Sequence, residues 1–140
     1  MPIAGVRRID HIAIAVRDID AALAFYRDTL GIAPSTIVDV PTEGVRIAFL
    51  PLGGPEGSKI ELIQPLDPAN SIGRFLAKHG EGQHHICLAV TDIDAALAQL
   101  QAEGVPVLDQ SPRIAAEGRA VFIHPKGAHG VLIELVQPAE

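Results

Sequence analysis

This 140-residue chain has one cysteine and no tryptophan, and its basic residues are outnumbered by acidic ones. Its one cysteine, Cys87, cannot make an internal disulfide, so a reducing, cytoplasmic setting is the expectation. With no Trp and one Tyr, it offers no stacking platform for nucleic-acid bases. Eleven Lys and Arg face seventeen Asp and Glu, a formal net charge of −6, so no phosphate-neutralising surface of a general nucleic-acid binder is implied. Long apolar runs are missing too. The early apolar phrase is interrupted by Asp10, His11, Arg17, Asp18 and Asp20, which argues against a signal peptide or a membrane span. What remains is 48% hydrophobic and 20% charged, the make-up of one globular domain with a real core.

The chain also says nearly the same thing twice. Shifted by 74 positions, AVRDIDAALA (15–24) becomes AVTDIDAALA (89–98), with one mismatch in ten, and His11 falls on His85. KIELIQP (59–65) returns as LIELVQP (132–138) at a shift of 73. Fixed-period self-similarity of this kind marks a duplicated structural unit. The reading is one domain over 1–140, with module 1 at about 1–66, a connector at about 67–79 and module 2 at about 80–140.

Each module opens on a β-branched, strand-length phrase, IDHIAIAV or HHICLAV. Asp18 and Asp92 then stand as N-caps, and Gly31 and Gly104 as C-terminal stops, of a helix. Ala22, Leu23, Phe25, Tyr26 and Leu30 predict its apolar stripe. Turn-bounded strands follow: VRIAFLPL and KIELIQP, later RAVFIHP and VLIELVQP. The order β-α-β-β-β, twice, predicts an α+β fold whose two sheets combine around a shared cleft.

Side chains along a strand alternate between faces, which places His11 with Ala13 and Ala15, and His85 with Cys87 and Ala89. Small neighbours predict room beside each imidazole, as on a cavity floor. Glu61 and Glu134 hold matching places between apolar residues, where a carboxylate is costly unless paired, exposed or bound to a cation. Two imidazoles and two carboxylates related by the duplication form a mixed N/O set suited to Co, Ni, Mn, Fe or Zn. The four are therefore expected to be two halves of one metal site. His84 faces away from His85 and is expected to play a supporting part; His124 is a candidate ligand contact, and His79 and His129 are expected at the surface or in loops.

These phrases resemble the vicinal oxygen chelate (glyoxalase/bleomycin resistance) superfamily, over nearly the whole chain. Within it the chain is most similar to the methylmalonyl-CoA epimerases, through IDHIAIAV, GVRIAFLPLG, KIELIQPL, NSIGRFLAKHGEGQHHI and above all FIHPKGAHGVLIELVQ. The resemblance implies two tandem βαβββ modules forming a U-shaped mixed sheet, a half-barrel, around a metal cleft. It implies a divalent ion on His11, Glu61, His85 and Glu134, an acyl-CoA substrate, a homodimer, and no nucleic-acid or membrane partner. The implied reaction interconverts (2R)- and (2S)-methylmalonyl-CoA through a metal-stabilised enolate, a 1,1-proton transfer. Glu134 would be ligand and general base at once. Some epimerases carry a second glutamate where Ile47 stands here, and a hydrocarbon cannot move a proton. Glu43, Glu61, Lys126 or water could take that part, and the symmetry of the repeat favours Glu61. Arg46, Arg74, Lys78, Arg113, Arg119 and Lys126 are candidates for the coenzyme A phosphates. Glyoxalase I (lactoylglutathione lyase), using a similar ligand set, and a non-catalytic ligand-binding or resistance protein on the same fold are the alternatives.

Overall fold

Asp18 and Asp92 cap their helices as the repeated phrase requires. Asp18 Oδ1 accepts the N–H of Asp20 at 3.1 Å, and Asp92 Oδ1 that of Ala95 at 3.1 Å. In this computed structural model, which describes residues 2–139, the elements run as follows. β1 (Val6–Ala15) leads to α1 (Ile19–Leu23), whose last turns widen into a π-helix over Ala24–Thr29; β2 (Thr36–Val40), β3 (Val45–Pro51) and β4 (Lys59–Pro65) follow. After α2 (Ser71–His79) the pattern repeats as β5 (Gly82–Val90), α3 (Ile93–Ala102), β6 (Arg113–Ile114), β7 (Gly118–Ile123) and β8 (Ile133–Pro138). Among the described residues no helix is long and apolar enough to cross a membrane.

The chain divides into two compact units. One holds residues 11–84; the other holds the residues up to Asp10 together with those from His85 on. In the first, the strand order is β2-β3-β4-β1, with β4 parallel to β1 and antiparallel to β3. In the second it is β5-β8-β7-β6, with β8 parallel to β5 and antiparallel to β7. The start of β1 is tied into this second unit. Thr91 donates both its N–H (3.0 Å) and its Oγ1–H (3.3 Å) to the Gly5 carbonyl, and Ile3 packs beside the cluster of Val90, Leu97 and Leu135.

A pair of glutamines fastens helix to sheet in both units. Gln64 Oε1, at the end of β4, accepts the N–H of Ile19 at 2.9 Å, and Gln137 Oε1, at the end of β8, that of Ile93 at 3.0 Å. Each satisfies a backbone donor that the first turn of a helix leaves without an intrahelical partner. Behind them lie the cores: Ile19 and Leu23 on Leu50 and Leu62 in the first unit, Ile93 and Leu97 on Val121 and Leu135 in the second.

Two expectations need correction. Phe25 and Leu30 do not face the core; about half of each is exposed. The wider winding from Ala24 onward, with Leu30 N–H bonded to Phe25 O five residues back, rotates them off the stripe that a regular helix would keep. Nor is the Ala13 and Ala15 face an open floor. Both alanines are fully buried, covered by Ile72 and Leu76 of α2. The connector is thus a helix that fills the space small side chains leave. In the second unit the matching cluster contains only Cys87, Ala120 and Val136, with Ala115 beside them.

Candidate active site

The register of each sheet delivers one imidazole to one carboxylate. In the first unit Glu61 stands opposite Ala13, two residues past His11, and Phe49 lies opposite Glu61 on the other side. In the second unit Glu134 stands opposite Cys87, two residues past His85, with Phe122 opposite Glu134. The parallel pairing explains the match: in both units the carboxylate strand runs alongside the histidine strand with the same offset. The result is a His11 Nδ1 to Glu61 Oε2 distance of 3.0 Å and a His85 Nε2 to Glu134 Oε1 distance of 3.2 Å.

All four side chains are buried, His11 at 1% exposure, Glu61 at 2%, His85 at 6% and Glu134 at 4%. A carboxylate removed from water is tolerated only with compensating charge or hydrogen bonds, and each has an imidazole at hydrogen-bonding distance. Nitrogen and oxygen donors on rigid strands are what a borderline divalent cation binds. Such donors fit a metal ion; His11, His85 and Glu134 group together as candidate ligands, Glu61 groups with His11, Asp10 and Glu117, and Cys87 with Asp10 and His11.

Arg113, expected at the coenzyme A phosphates, belongs to this picture instead, as do Asp109, Phe122 and Asp10, which sequence reasoning left out as site residues. Arg113 donates Nη2–H to Glu134 Oε2 at 2.5 Å and Nη1–H to Asp109 Oδ2 at 2.9 Å, with its guanidinium 4.2 Å above the Phe122 ring. The same Asp109 oxygen accepts the Phe122 backbone N–H at 2.7 Å. The Phe122 ring also meets His85 edge-on at 5.1 Å. Asp10, a buried carboxylate next to His11 in sequence, lies 3.9 Å from Arg8. No spacing signal picks out Arg113 or Asp109, because neither has a partner in the repeat.

The remaining candidates fall elsewhere. Arg46 and Arg119 are engaged on the surface by Asp39 (2.7 Å) and Asp94 (2.9 Å). These hydrogen bonds hold both carboxyls below the usual carboxylate range. Arg74 is bonded to the Ala69 carbonyl at 2.7 Å, and Lys78 and Lys126 are exposed. His84 packs edge-on against Phe75 at 4.9 Å, and His79 lies against the same ring. His124 accepts the Lys126 N–H at 3.0 Å, which sets the short 3₁₀ turn Pro125–Gly127; His129, exposed, has a φ of 56°. Glu43 lies in the turn before β3, and Ile47 is buried among Val45, Ile63 and Ile72.

A profile of the Glyoxalase/Bleomycin resistance protein/Dioxygenase superfamily matches residues 10–123, and the chain belongs to that superfamily. Its paired βαβββ modules are an α+β arrangement shared with solved members. Several similar proteins are epimerases. The ethylmalonyl-CoA/methylmalonyl-CoA epimerase of Cereibacter sphaeroides is 44% identical over 135 residues, 94% of this chain and 98% of that protein. The mitochondrial methylmalonyl-CoA epimerase of Homo sapiens is 42% identical over 132 residues, 93% of this chain and 73% of that protein. Among solved structures, a variant of the Streptomyces coelicolor methylmalonyl-CoA epimerase in complex with 2-nitronate-propionyl-CoA superposes with a TM-score of 0.91. It is 41% identical and covers 96% of this chain and 99% of its own.

Proposed function

We propose that this chain is a metal-dependent methylmalonyl-CoA epimerase, interconverting the (2R) and (2S) forms by 1,1-proton transfer, with His11, Glu61, His85 and Glu134 as the ligands of one divalent ion. The observation that carries the reading is a buried imidazole–carboxylate pair at the same register in each module of a chain 44% identical to such an epimerase. Co, Ni, Mn, Fe and Zn all suit two nitrogens and two oxygens. When bound, the ion supplies Lewis-acid stabilisation of the negative charge that develops on the thioester oxygen.

The protein's own residues do the rest. Glu134 takes the α-proton, leaving the electron pair delocalised into the thioester as a planar enolate. Glu61 delivers a proton to the opposite face of the same carbon, which inverts it with no change in oxidation state. In the reverse direction the two exchange parts, and each regains its starting proton state from solvent. Both carboxylates are buried, which keeps bulk water from competing. A homodimer in the cytoplasm completes the reading. Exposed apolar side chains such as Leu108 and Ile114 support the first, and a single, buried cysteine supports the second.

The test is α-proton exchange of methylmalonyl-CoA in heavy water, followed by NMR on cobalt-loaded protein with and without chelator. Exchange that chelation stops is expected. A silent α-proton, together with turnover of the methylglyoxal–glutathione hemithioacetal, would replace the reading by a glyoxalase I.

A further inference from the structure

Arg113 has no part in the proton transfers above, yet it is firmly built into the second unit's half of the site. Its guanidinium touches Glu134, Asp109 and the Phe122 ring, and Asp109 is itself held by a backbone N–H. A structural duty alone explains this poorly. Arg113 sits on β6, a two-residue strand at the edge of its sheet, where the neighbouring Ile114 is 84% exposed. Nothing in packing such an edge demands a guanidinium aimed at a carboxylate that is 5% exposed.

The chemistry of Glu134 sharpens the point. A general base needs an oxygen lone pair to receive the proton. Oε1 faces His85 Nε2 at 3.2 Å, and Oε2 accepts a charge-assisted hydrogen bond from Arg113 at 2.5 Å. The resting arrangement therefore sets the guanidinium in competition with the incoming proton for Oε2. The side chain of Arg113 is 27% exposed, so part of it remains reachable from solvent. The residues clustered on this face, Cys87, Ala115, Ala120 and Val136, are short.

We propose that Arg113 is the specificity residue for the free carboxylate of the acyl group, and that this carboxylate takes the guanidinium over from Glu134 and so frees Oε2 for the α-proton. Asp109 and Phe122 hold the guanidinium in place through the exchange of partners, so the motion falls on the Glu134 carboxylate. A guanidinium pairs with any carboxylate through two parallel N–H donors, which makes the swap one of like for like. An acyl-CoA lacking the carboxylate has nothing to exchange and leaves the resting pair closed. This assignment rests on the epimerase reading.

Steady-state kinetics of cobalt-loaded R113M and R113K proteins, with propionyl-CoA as the competing ligand, test it. Loss of one charge-assisted hydrogen bond should raise KM for methylmalonyl-CoA about tenfold to a hundredfold in R113M. R113K should recover part of this, and the propionyl-CoA inhibition constant should stay within twofold throughout. Equal weakening toward both ligands, or no change in KM, overturns the proposal. The parent protein offers a readout that needs no folded variant. Nitrogen-15 resonances of the Arg113 guanidinium should shift with saturating methylmalonyl-CoA and not with propionyl-CoA; the same shift with both overturns the proposal. A parent protein that exchanges no α-proton removes the epimerase reading and this role together. Normal exchange with equal losses removes the role alone.

Discussion

Asn70 performs two jobs with one amide, and substitution can separate them. Its Oδ1 accepts the Gly73 N–H at 2.9 Å as the N-cap of α2, while its Nδ2 donates to the Gly44 carbonyl at 2.7 Å, in the turn that presents Glu43. Asn70→Ala removes both. Loss of an N-cap costs about 1 kcal/mol. The Gly44 carbonyl keeps its bond from the Leu66 N–H at 2.8 Å and is not orphaned. The clamp is therefore worth a net hydrogen bond, about 1 kcal/mol, and not a full desolvation penalty. Together the alanine variant should lose about 2 kcal/mol. Asn70→Asp keeps the cap and loses only the donor, so it should fall between the two, about 1 kcal/mol below the parent. Urea unfolding with an unchanged m-value measures both. An alanine variant within about 0.5 kcal/mol of the parent, small against the usual cost of a lost cap, refutes the reasoning. So does an aspartate variant as unstable as alanine, because the cap would then contribute nothing.

Gly73→Ala should destabilise, although alanine is ordinarily better by about 1 kcal/mol inside a helix. A Cβ there would stand 2.2 Å from the Pro68 backbone carbonyl oxygen, and a raised melting temperature would contradict the clash. Glu134→Gln should abolish heavy-water exchange while the far-ultraviolet circular dichroism remains; full activity would exclude Glu134 as the base. His11→Ala should lower bound metal after dialysis, read by elemental analysis, and unchanged metal content would remove it from the ligand set. The Arg119 hydrogen bond keeps the Asp94 carboxyl below its usual range, so its stabilisation is complete above the unfolded carboxyl's titration and disappears as pH falls through the folded one. Asp94→Asn should accordingly flatten the acidic limb of the stability–pH curve; an unchanged limb would show the pair contributes nothing.

The parts of the molecule written in the repeat were readable from sequence, because symmetry filters noise that a single segment cannot. Asp18 and Asp92 cap, Gly31 and Gly104 take positive φ at the helix ends, and His11 meets Glu61 as His85 meets Glu134. What the repeat does not contain was missed. Asn70 and Gly80 bracket α2 with ordinary cap signals, yet the segment stands between the copies and read as a link. Strand alternation placed Ala13 and Ala15 on the face of His11 but could not say that Ile72 and Leu76 would arrive to cover it. Arg113 was one basic residue among several, and only the meeting of β6, β7 and β8 brings it to Glu134. Helical periodicity failed at Phe25 and Leu30 because a π-turn resets the count.

The opening segment, bonded at Gly5 to Thr91 and packed at Ile3, gives the duplication an interleaved character. Cleavage in the stretch before β5 would yield a leading fragment still carrying residues that its own half does not use, and a trailing fragment stripped of them. The two copies of the motif are thus not two proteins in series. Fragments split there should regain order on mixing and stay incomplete apart, so any future dissection has to treat the pair as one cooperative object.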